Sequence, residues 1–498
     1  MKEVIVVGAG IGGLCTAIRL LNKGYKVTIF EKENTIGGKV NIKSNKGASF
    51  DLTASILMTP DIYTEIFQSV GKNYKDYIEL EKLDPIYRVD YYDGTTYNFY
   101  NDLRDMINVL EDMQKGLSIE YLDFLYNSYK KYLLSKEYFL NKPMINKGEI
   151  INLKSIKRLL NISPITNVDK YISSKISNQK LREYLIFQSM YIGSNPFTTA
   201  NLYTLIPAIS HTYGLWYIKG GFYKYIIALE KLIYDLGGRI EVGKEVQEII
   251  VEKNIAKGIV VDNKIYTSDI VICNADFPYA TKNLFKNDID EGLYKTEDID
   301  KEDYSCSIFI IYLGLKKKYE DLKVHNIYIS KSFRESIEAP FKGKLPENPS
   351  LYLYSPSVQD DDVCGEYKQI LNVVVRVPNL TFKDVIWDKD TISKFRDIAI
   401  NELKSIKDLG DIEENIEYED YLTPIDLKER FNSYNGTAFG LSHKLSQTIY
   451  FRPHIKSKNV DGLYFIGSST HPGNGVSVII DGSKLVQQKI EEDYEKGI

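Results

Sequence analysis

Apolar residues open the chain in a short block, Val4–Val7, that stops at Gly8. A block so short, apolar throughout and closed by glycine, predicts a strand buried on both faces. Ile11–Asn22 carries apolar residues at helical spacing and stops before Gly24, which predicts a helix. Lys26–Glu31 predicts a second strand, and the three together form a βαβ start. Further along, Phe222–Leu236 predicts a helix ended by Gly237 and Gly238. Val246–Val251, Ile259–Val261 and Ile265–Tyr266 predict strands, with Asp262-Asn263-Lys264 as the turn between the last two. Ile270–Cys273, Ser307–Leu315 and Leu371–Val377 are further apolar, β-branched strand candidates. Leu463–Ile466 is a last short strand, followed by a glycine-rich turn and a helix from about Val476.

The stretch from Asp102 to Tyr191 reads as mostly helical. Within Tyr121–Leu134 the apolar positions Tyr121, Leu122, Leu125, Tyr126, Tyr129, Tyr132 and Leu133 read as one amphipathic stripe, opposite Asp123, Asn127 and Lys130. Such a stripe suits either an ordinary core-facing helix or a lid facing a membrane. The absence of a repeat or a flexible linker predicts domains that are interleaved rather than strung in series.

The 498 residues suit about two or three domains. A hydrophobic content of 43% and a charged content of 26% exclude a wholly disordered chain. The formal net charge of -5 gives no reason to expect a nucleic-acid partner. Cys15, Cys273, Cys306 and Cys364 are scattered and read as buried thiols in a reducing compartment. The histidines show no metal-ligand spacing, so no metal is expected, and His211, His325 and His443 read as structural. Neither a secretory leader nor a membrane-spanning run of ~18 apolar residues is expected, which leaves attachment to a membrane surface open. The 39 tyrosines would suit a membrane interface, but the chain is also rich in Lys, Ile and Asn, and a general compositional bias is the simpler account.

The first chemical motif is Gly8-Ala9-Gly10-Ile11-Gly12-Gly13, a G-x-G-x-x-G between a predicted strand and a predicted helix. Gly8 permits the tight turn, Gly10 lets backbone approach a pyrophosphate, and Gly13 allows close helix–strand packing. The helix then offers unpaired N–H groups and a positive dipole end to phosphates. Glu31 ends the second strand, where a carboxylate accepts hydrogen bonds from an adenosine ribose and repels a 2′-phosphate. Gly37-Gly38-Lys39 suggests more backbone near the dinucleotide, with Lys39 as a cation near phosphate or, alternatively, a plain turn. The C-terminal segment Gly467-Ser468-Ser469-Thr470-His471-Pro472-Gly473-Asn474-Gly475-Val476 repeats the order strand, glycine turn, helix. A helix N-terminus there suits the negative charge that a flavin gains on reduction, which favours FAD over NAD.

These segments resemble the bacterial phytoene desaturase family of FAD-dependent carotenoid desaturases. The opening VIVVGAGIGGLCTAIRL…VTIFEK…GGK is similar to many FAD oxidoreductases, amine oxidases included, whereas LYFIGSSTHPGNGVSVII, with its T-H-P-G-x-G core from Thr470 to Gly475, is far more particular. GLWYIKGGFYKYIIAL, DIVICNADFP, VHNIYIS and FDLTASILMTPDIY also resemble the family, and LDPIYRVDYYDG and Lys219 suggest its branch acting on thirty-carbon 4,4′-diapophytoene. Two departures stand out. Thr53-Ala54-Ser55 occupies the place of a usual Gly-Pro-Thr, and Phe222 stands where methionine is common.

The resemblance implies an α/β fold: a Rossmann-like FAD-binding domain of the amine oxidase type, interleaved with an α+β substrate domain and a helical lid. The expected boundaries are 1–75, 220–285 and 455–498 for the FAD domain, 76–100 and 286–454 for the substrate domain, and 101–219 for the lid. Besides the residues above, Val246 is an expected cofactor contact. Asp276 and His471 are candidate proton acceptors, with loop positioning as the competing role. Trp216, Phe222 and Phe277 are candidate tunnel walls, with ordinary core packing as the alternative. The implied activity is desaturation by hydride transfer to the flavin in a dry apolar tunnel. The expected partners are an apolar carotenoid, a lipid bilayer surface at the cytoplasmic membrane, and a quinone or oxygen as electron acceptor. A carotene isomerase, a terminal oxidase, an amine oxidase-type enzyme and a non-catalytic lipid-binding escort share the fold and stay open.

Overall fold

The structure is a computed structural model that describes residues 2–150, 166–287, 290, 291 and 294–495. Residues 151–165 of the predicted helical stretch lie outside the described residues. The chain opens with strand Glu3–Val7, helix α1 (Ile11–Asn22) and strand Lys26–Phe30. It then passes through helix α2 (Leu117–Ser135), returns by helix α3 (Tyr223–Asp235) and ends on helix α4 (Val476–Glu495).

The first sheet has five parallel strands in the order Leu463–Phe465, Ile270–Cys273, Glu3–Val7, Lys26–Phe30 and Arg239–Glu241. Four of them are the short apolar blocks read from sequence, and burial on both faces explains the lack of alternation. α1 packs against α3 and α4 on one face, through Leu14, Ile18, Leu229 and Val486. A three-stranded antiparallel sheet covers the other face through Ile249, Ile259 and Val261. Its second hairpin turns on Asp262 and Asn263 alone, at φ 50° and 59°, while Lys264 already pairs with Val261. A two-residue turn with positive φ at both positions matches the twist of the strands, which is why Lys264 leaves the predicted turn and joins the strand.

The second sheet has seven strands in the order Ile416–Leu422, Ser307–Leu315, Gln369–Val377, Leu351–Tyr354, His325–Ile329, Tyr87–Tyr91 and Thr96–Phe99. It is antiparallel except where His325–Ile329 runs alongside Tyr87–Tyr91. Helices of the segment from Leu103 to Tyr213 pack over this sheet in one apolar cluster that includes Tyr87, Phe124, Tyr184, Ile206 and Ile327.

Helix α2 departs from the expected single stripe. Leu117, Tyr121, Phe124 and Tyr132 are buried, whereas Ile119, Leu122, Tyr126 and Leu133 lie out in solvent, Ile119 with 73% and Tyr126 with 66% of their surface exposed. At 100° per residue the two sets fall on opposite sides of the helix. The apolar residues form two rows, and one of them has no cover among the described residues.

Asp51 joins the two sheets. Its carboxylate accepts hydrogen bonds from the backbone N–H of Phe222 (3.0 Å) and of Tyr223 (3.2 Å) and from the Tyr354 hydroxyl (3.0 Å). Burial pushes its pKa up to about 6, against the opposing pull of those donors. The unfolded chain releases this proton near pH 4, so the native state holds one proton more between roughly pH 4 and 6. The stability due to that proton is full below the unfolded pKa and is lost as pH rises through the folded one. We expect the stability advantage of wild type over Asp51→Asn to shrink by roughly 2–3 kcal/mol across this window. Urea midpoints at several pH values measure it, and parallel pH profiles for the two proteins would contradict it.

Candidate functional site

A cavity of about 510 Å³ runs between the first sheet and the second. At one end lie Gly8, Gly10, Gly12 and Glu31, and the wall continues through Gly37, Gly38, Lys39 and Val246. Gly467, His471, Gly473, Asn474, Gly475 and Val476 complete it, with Asn274 and Asp276 beside them.

The glycine cradle follows from space as much as from backbone freedom. Gly8 sits at φ +95°, a conformation that a side chain rarely adopts. A Cβ on Gly10 would come within 2.7 Å of Asn274 Oδ1, and one on Gly13 would overlap the Gly8 carbonyl oxygen. Gly13 itself does not line the cavity and serves the packing behind it. Gly10 precedes α1 with no side-chain cap, so the first N–H groups of the helix stay available toward the cavity. Gly37 donates its N–H to the Ala9 carbonyl (2.8 Å), which locks the second glycine turn against the first. Glu31 accepts from the N–H of Ala9 (2.7 Å) and of Glu33 (3.0 Å). Burial raises its pKa, and those two donors oppose the rise.

Lys39, expected as a cation near phosphate, lines the cavity but spends its donors on backbone. Its ammonium donates to the carbonyls of Thr437 (3.3 Å) and Ala438 (3.2 Å), so it ties the cradle to the second sheet's loops. Burial lowers its pKa, and Asp276 counteracts this.

The C-terminal loop is held from behind by Arg452, a fully buried residue whose guanidinium donates to the carbonyls of Leu441, Ser442, Gln447 and Ser468. Thr470 turns away from the cavity and donates to the Gly467 carbonyl (3.1 Å). His471 donates from Nε2 to the Lys142 carbonyl (2.8 Å), which leaves Nδ1 as an acceptor, and burial first of all pulls its pKa down to about 4. Asp276 accepts from the Tyr434 N–H (2.9 Å) and from the Ser469 hydroxyl, so both oxygens serve loop contacts.

Trp216, Phe222 and Phe277 do not line the cavity, contrary to the expected tunnel walls. Trp216 donates to the Tyr213 carbonyl (3.0 Å) and packs on the first sheet's core. Phe222 meets Tyr63 edge-on with ring centres 6.0 Å apart, and Phe277 meets Phe465 at 5.1 Å. Phe222 and Phe277 are drawn into the core beside the helix each adjoins, where a whole ring is removed from water, and Trp216 is half-buried against it. The apolar wall instead comes from Leu202, Ile206 and Ile209 on one helical face, with Tyr191, Tyr203 and Phe439. Arg376 also lines it, the one charge in the strand Gln369–Val377.

The residues present fit a flavin dinucleotide. Among the described residues, His443 Nδ1, His471 Nδ1, Arg452 Nε and Asn474 Oδ1 are buried beside the C-terminal loop without a hydrogen-bond partner. Buried polar atoms rarely stay unpaired, and a ligand with carbonyl and ring nitrogen groups supplies what they lack. A glycine cradle at a helix start, a ribose-binding acid and a second helix start at the far end define a flavin-dependent oxidoreductase.

The comparisons agree. The chain belongs to the flavin containing amine oxidoreductase family, whose model matches residues 11–480. It is 36% identical over 99% of both chains to a 4,4′-diapophytoene desaturase (4,4′-diaponeurosporene-forming) from Staphylococcus haemolyticus. It is 34% identical over the full length of both to the protein of that description from Staphylococcus aureus. Among solved structures, an oxidoreductase from Methanosarcina mazei shares the fold with a TM-score of 0.66 at 17% identity, over 98% of this chain and 100% of the other. A redesigned putrescine oxidase does so with a TM-score of 0.63 at 11% identity, over 99% of each chain. FAD is the cofactor of this protein, and the resemblance read from its motifs extends over the whole chain.

Proposed function

We propose that this protein is a carotenoid desaturase that introduces conjugated double bonds into 4,4′-diapophytoene. The observation that carries it is one cavity shared by a dinucleotide cradle and a long aliphatic and aromatic wall, in a chain alike end to end to proteins described as diapophytoene desaturases. Gly10, Gly12 and the start of α1 would hold the pyrophosphate, and Glu31 the adenosine ribose. Gly37–Lys39, Thr53–Ser55 and the start of α4 would close around the ring system. Bound FAD supplies a two-electron acceptor: a hydride leaves one carbon, a proton leaves its neighbour, and the bond between them becomes double.

The chain's share is positioning and exclusion of water. Leu202, Ile206, Ile209 and Phe439 offer a polyene only dispersion contacts, so it is held by shape. His471 Nδ1, kept neutral by burial, is a fixed acceptor at the cavity wall for the departing proton. A quinone or dioxygen would then take the electrons.

The outer row of α2 supports docking on the cytoplasmic membrane surface. Ile119, Leu122, Tyr126 and Leu133 lie on one exposed face, while Tyr132 and Ser135 in the last turn of the same helix, and Lys136 just after it, line the cavity. A water-insoluble substrate needs such a path from lipid. We expect Ile119→Ser/Tyr126→Ser/Leu133→Ser to reduce flotation with anionic phospholipid vesicles at least about fivefold, since each apolar side chain buried contributes about 1.5 kcal/mol or more. Unchanged flotation would remove this face from the argument.

The test of the activity is pigment chromatography of a bacterial host making diapophytoene, with and without this protein. New products with longer conjugated systems are expected. Unchanged diapophytoene beside soluble, FAD-loaded protein would overturn the substrate.

A further inference from the structure

Arg376 stands in the strand Gln369–Val377, opposite Ile308, with its side chain on the cavity wall. Its guanidinium lies 5.0 Å from the centre of the Phe439 ring. Among the described residues no carboxylate pairs with its guanidinium and no hydrogen bond reaches it. The titratable groups that act on it are the Cys306 thiol and the hydroxyls of Tyr191 and Tyr352, and burial above all lowers its pKa. Those hydroxyls already have partners: Tyr191 bonds Tyr87 (3.0 Å), and Tyr352 bonds Ser55 (2.9 Å) and His325 (2.8 Å). Arginine stays charged in proteins, so this is a fixed positive charge on the cavity wall with no carboxylate paired to it among the described residues.

A hydrocarbon substrate cannot balance it. It has no acceptor atom, and the carbon that gives up a hydride becomes positive, which a guanidinium opposes. The flavin changes charge in the other direction. Its expected place is bounded by the same segments that surround Arg376. Ser55, bonded to Tyr352, continues the cradle. Phe439, under the guanidinium, follows Ala438, whose carbonyl holds Lys39. Gly440, the next residue, packs against Ser468 and Ser469 of the C-terminal loop.

Granted the FAD site proposed above, we infer that Arg376 is a catalytic residue that faces the flavin ring and stabilises the negative charge the ring takes on as it accepts the hydride. Electrons pass from the substrate C–H bond to the ring, the proton leaves the adjacent carbon, and Arg376 gives up no proton. Its positive charge sets how readily the ring is reduced.

The test uses FAD-loaded wild type, Arg376→Gln and Arg376→Lys, and reads the flavin without turnover. Sulfite adds to oxidised flavin and leaves it negatively charged, so its dissociation constant, followed by bleaching of the flavin absorbance, probes the same charge. Arg376→Gln should weaken sulfite binding about tenfold or more and move the two-electron equilibrium with a reference dye by a similar factor, about 30 mV toward a lower potential. Arg376→Lys should stay within about threefold of wild type, because it keeps the charge. Wild-type sulfite affinity and potential in the Gln variant, with a change only in the KM for the polyene, would overturn the inference and make Arg376 a substrate-wall residue. Should the Gln variant lose its flavin, the wild type still decides, because an FAD-loaded wild type that forms no sulfite adduct overturns it as well. A wild type that holds no flavin would fail the FAD assignment itself, before Arg376 enters.

Discussion

A Gly13→Ala protein will purify colourless, with FAD affinity reduced about a hundredfold, while Gly24→Ala will stay yellow. The two glycines bracket the same helix, and the contrast separates two reasons for having one. At Gly13 a Cβ would overlap the Gly8 carbonyl and press on Val6, so α1 must move away from the first strand. Overpacking of that kind costs about 1–3 kcal/mol, and here it acts on the loop that approaches the pyrophosphate, where about 2.8 kcal/mol is a hundredfold in affinity. Gly24 sits at φ +83° with open space around it, so alanine there meets backbone strain of about 1–2 kcal/mol and no ligand. The ratio of flavin to protein absorbance after gel filtration reads both. Equal FAD retention in the two variants would remove close helix–strand packing as the reason for Gly13.

The second large effect is expected at Arg452→Met. Methionine matches much of the length and none of the hydrogen bonding, so the carbonyls of Leu441, Ser442, Gln447 and Ser468 lose their donor inside the protein. An unpaired buried polar group costs about 1–3 kcal/mol, and even partial relaxation leaves a destabilisation of about 3 kcal/mol or more. The Ser468 carbonyl belongs to the loop that carries Gly473 and Asn474, so FAD should dissociate on dialysis as the midpoint of urea unfolding falls. A variant with wild-type midpoint and full FAD content would show that the four contacts are replaceable. Arg452→Lys should recover little, because three donors on one nitrogen cannot span four carbonyls that the planar fork reaches.

Four strands of the parallel sheet were readable because they are short and largely apolar, two of them cut off by Gly8 and Gly467, whereas Arg239–Glu241 carries a charge at each end and gives no such signal. The C-terminal cradle was readable for the same reason. Helix α2 was visible as a helix, but its two apolar rows were merged into one, because a list of apolar positions does not say which side of a cylinder each one takes until a neighbour is in place. The tunnel wall failed for a related reason. Trp216, Phe222 and Phe277 are aromatic residues that suit a tunnel wall and a core equally in sequence, while Leu202, Ile206 and Ile209 arrive from a helical segment whose 3.6-residue spacing looks the same whether it faces a core or a cavity. Arg452 reads in sequence as an ordinary surface arginine, since its four partners come from loops that only folding brings together. Arg376 is visible in sequence as the one charge inside the run Leu371–Val377, but with Asn372 on the same face it reads as an ordinary outward-facing position until the cavity is in place.

The placement of Leu463–Phe465 at the edge of the first sheet has a consequence for how the protein is made. The ribosome delivers Glu3–Val7 long before Leu463–Phe465 and α4, yet the two strands belong to one sheet and α4 covers α1. Until the final segment emerges, the edge of Ile270–Cys273 is unpaired and one side of α1 lacks its cover. Cofactor loading therefore waits for Leu463–Phe465 and α4, and until they arrive that open edge is free to pair with another copy.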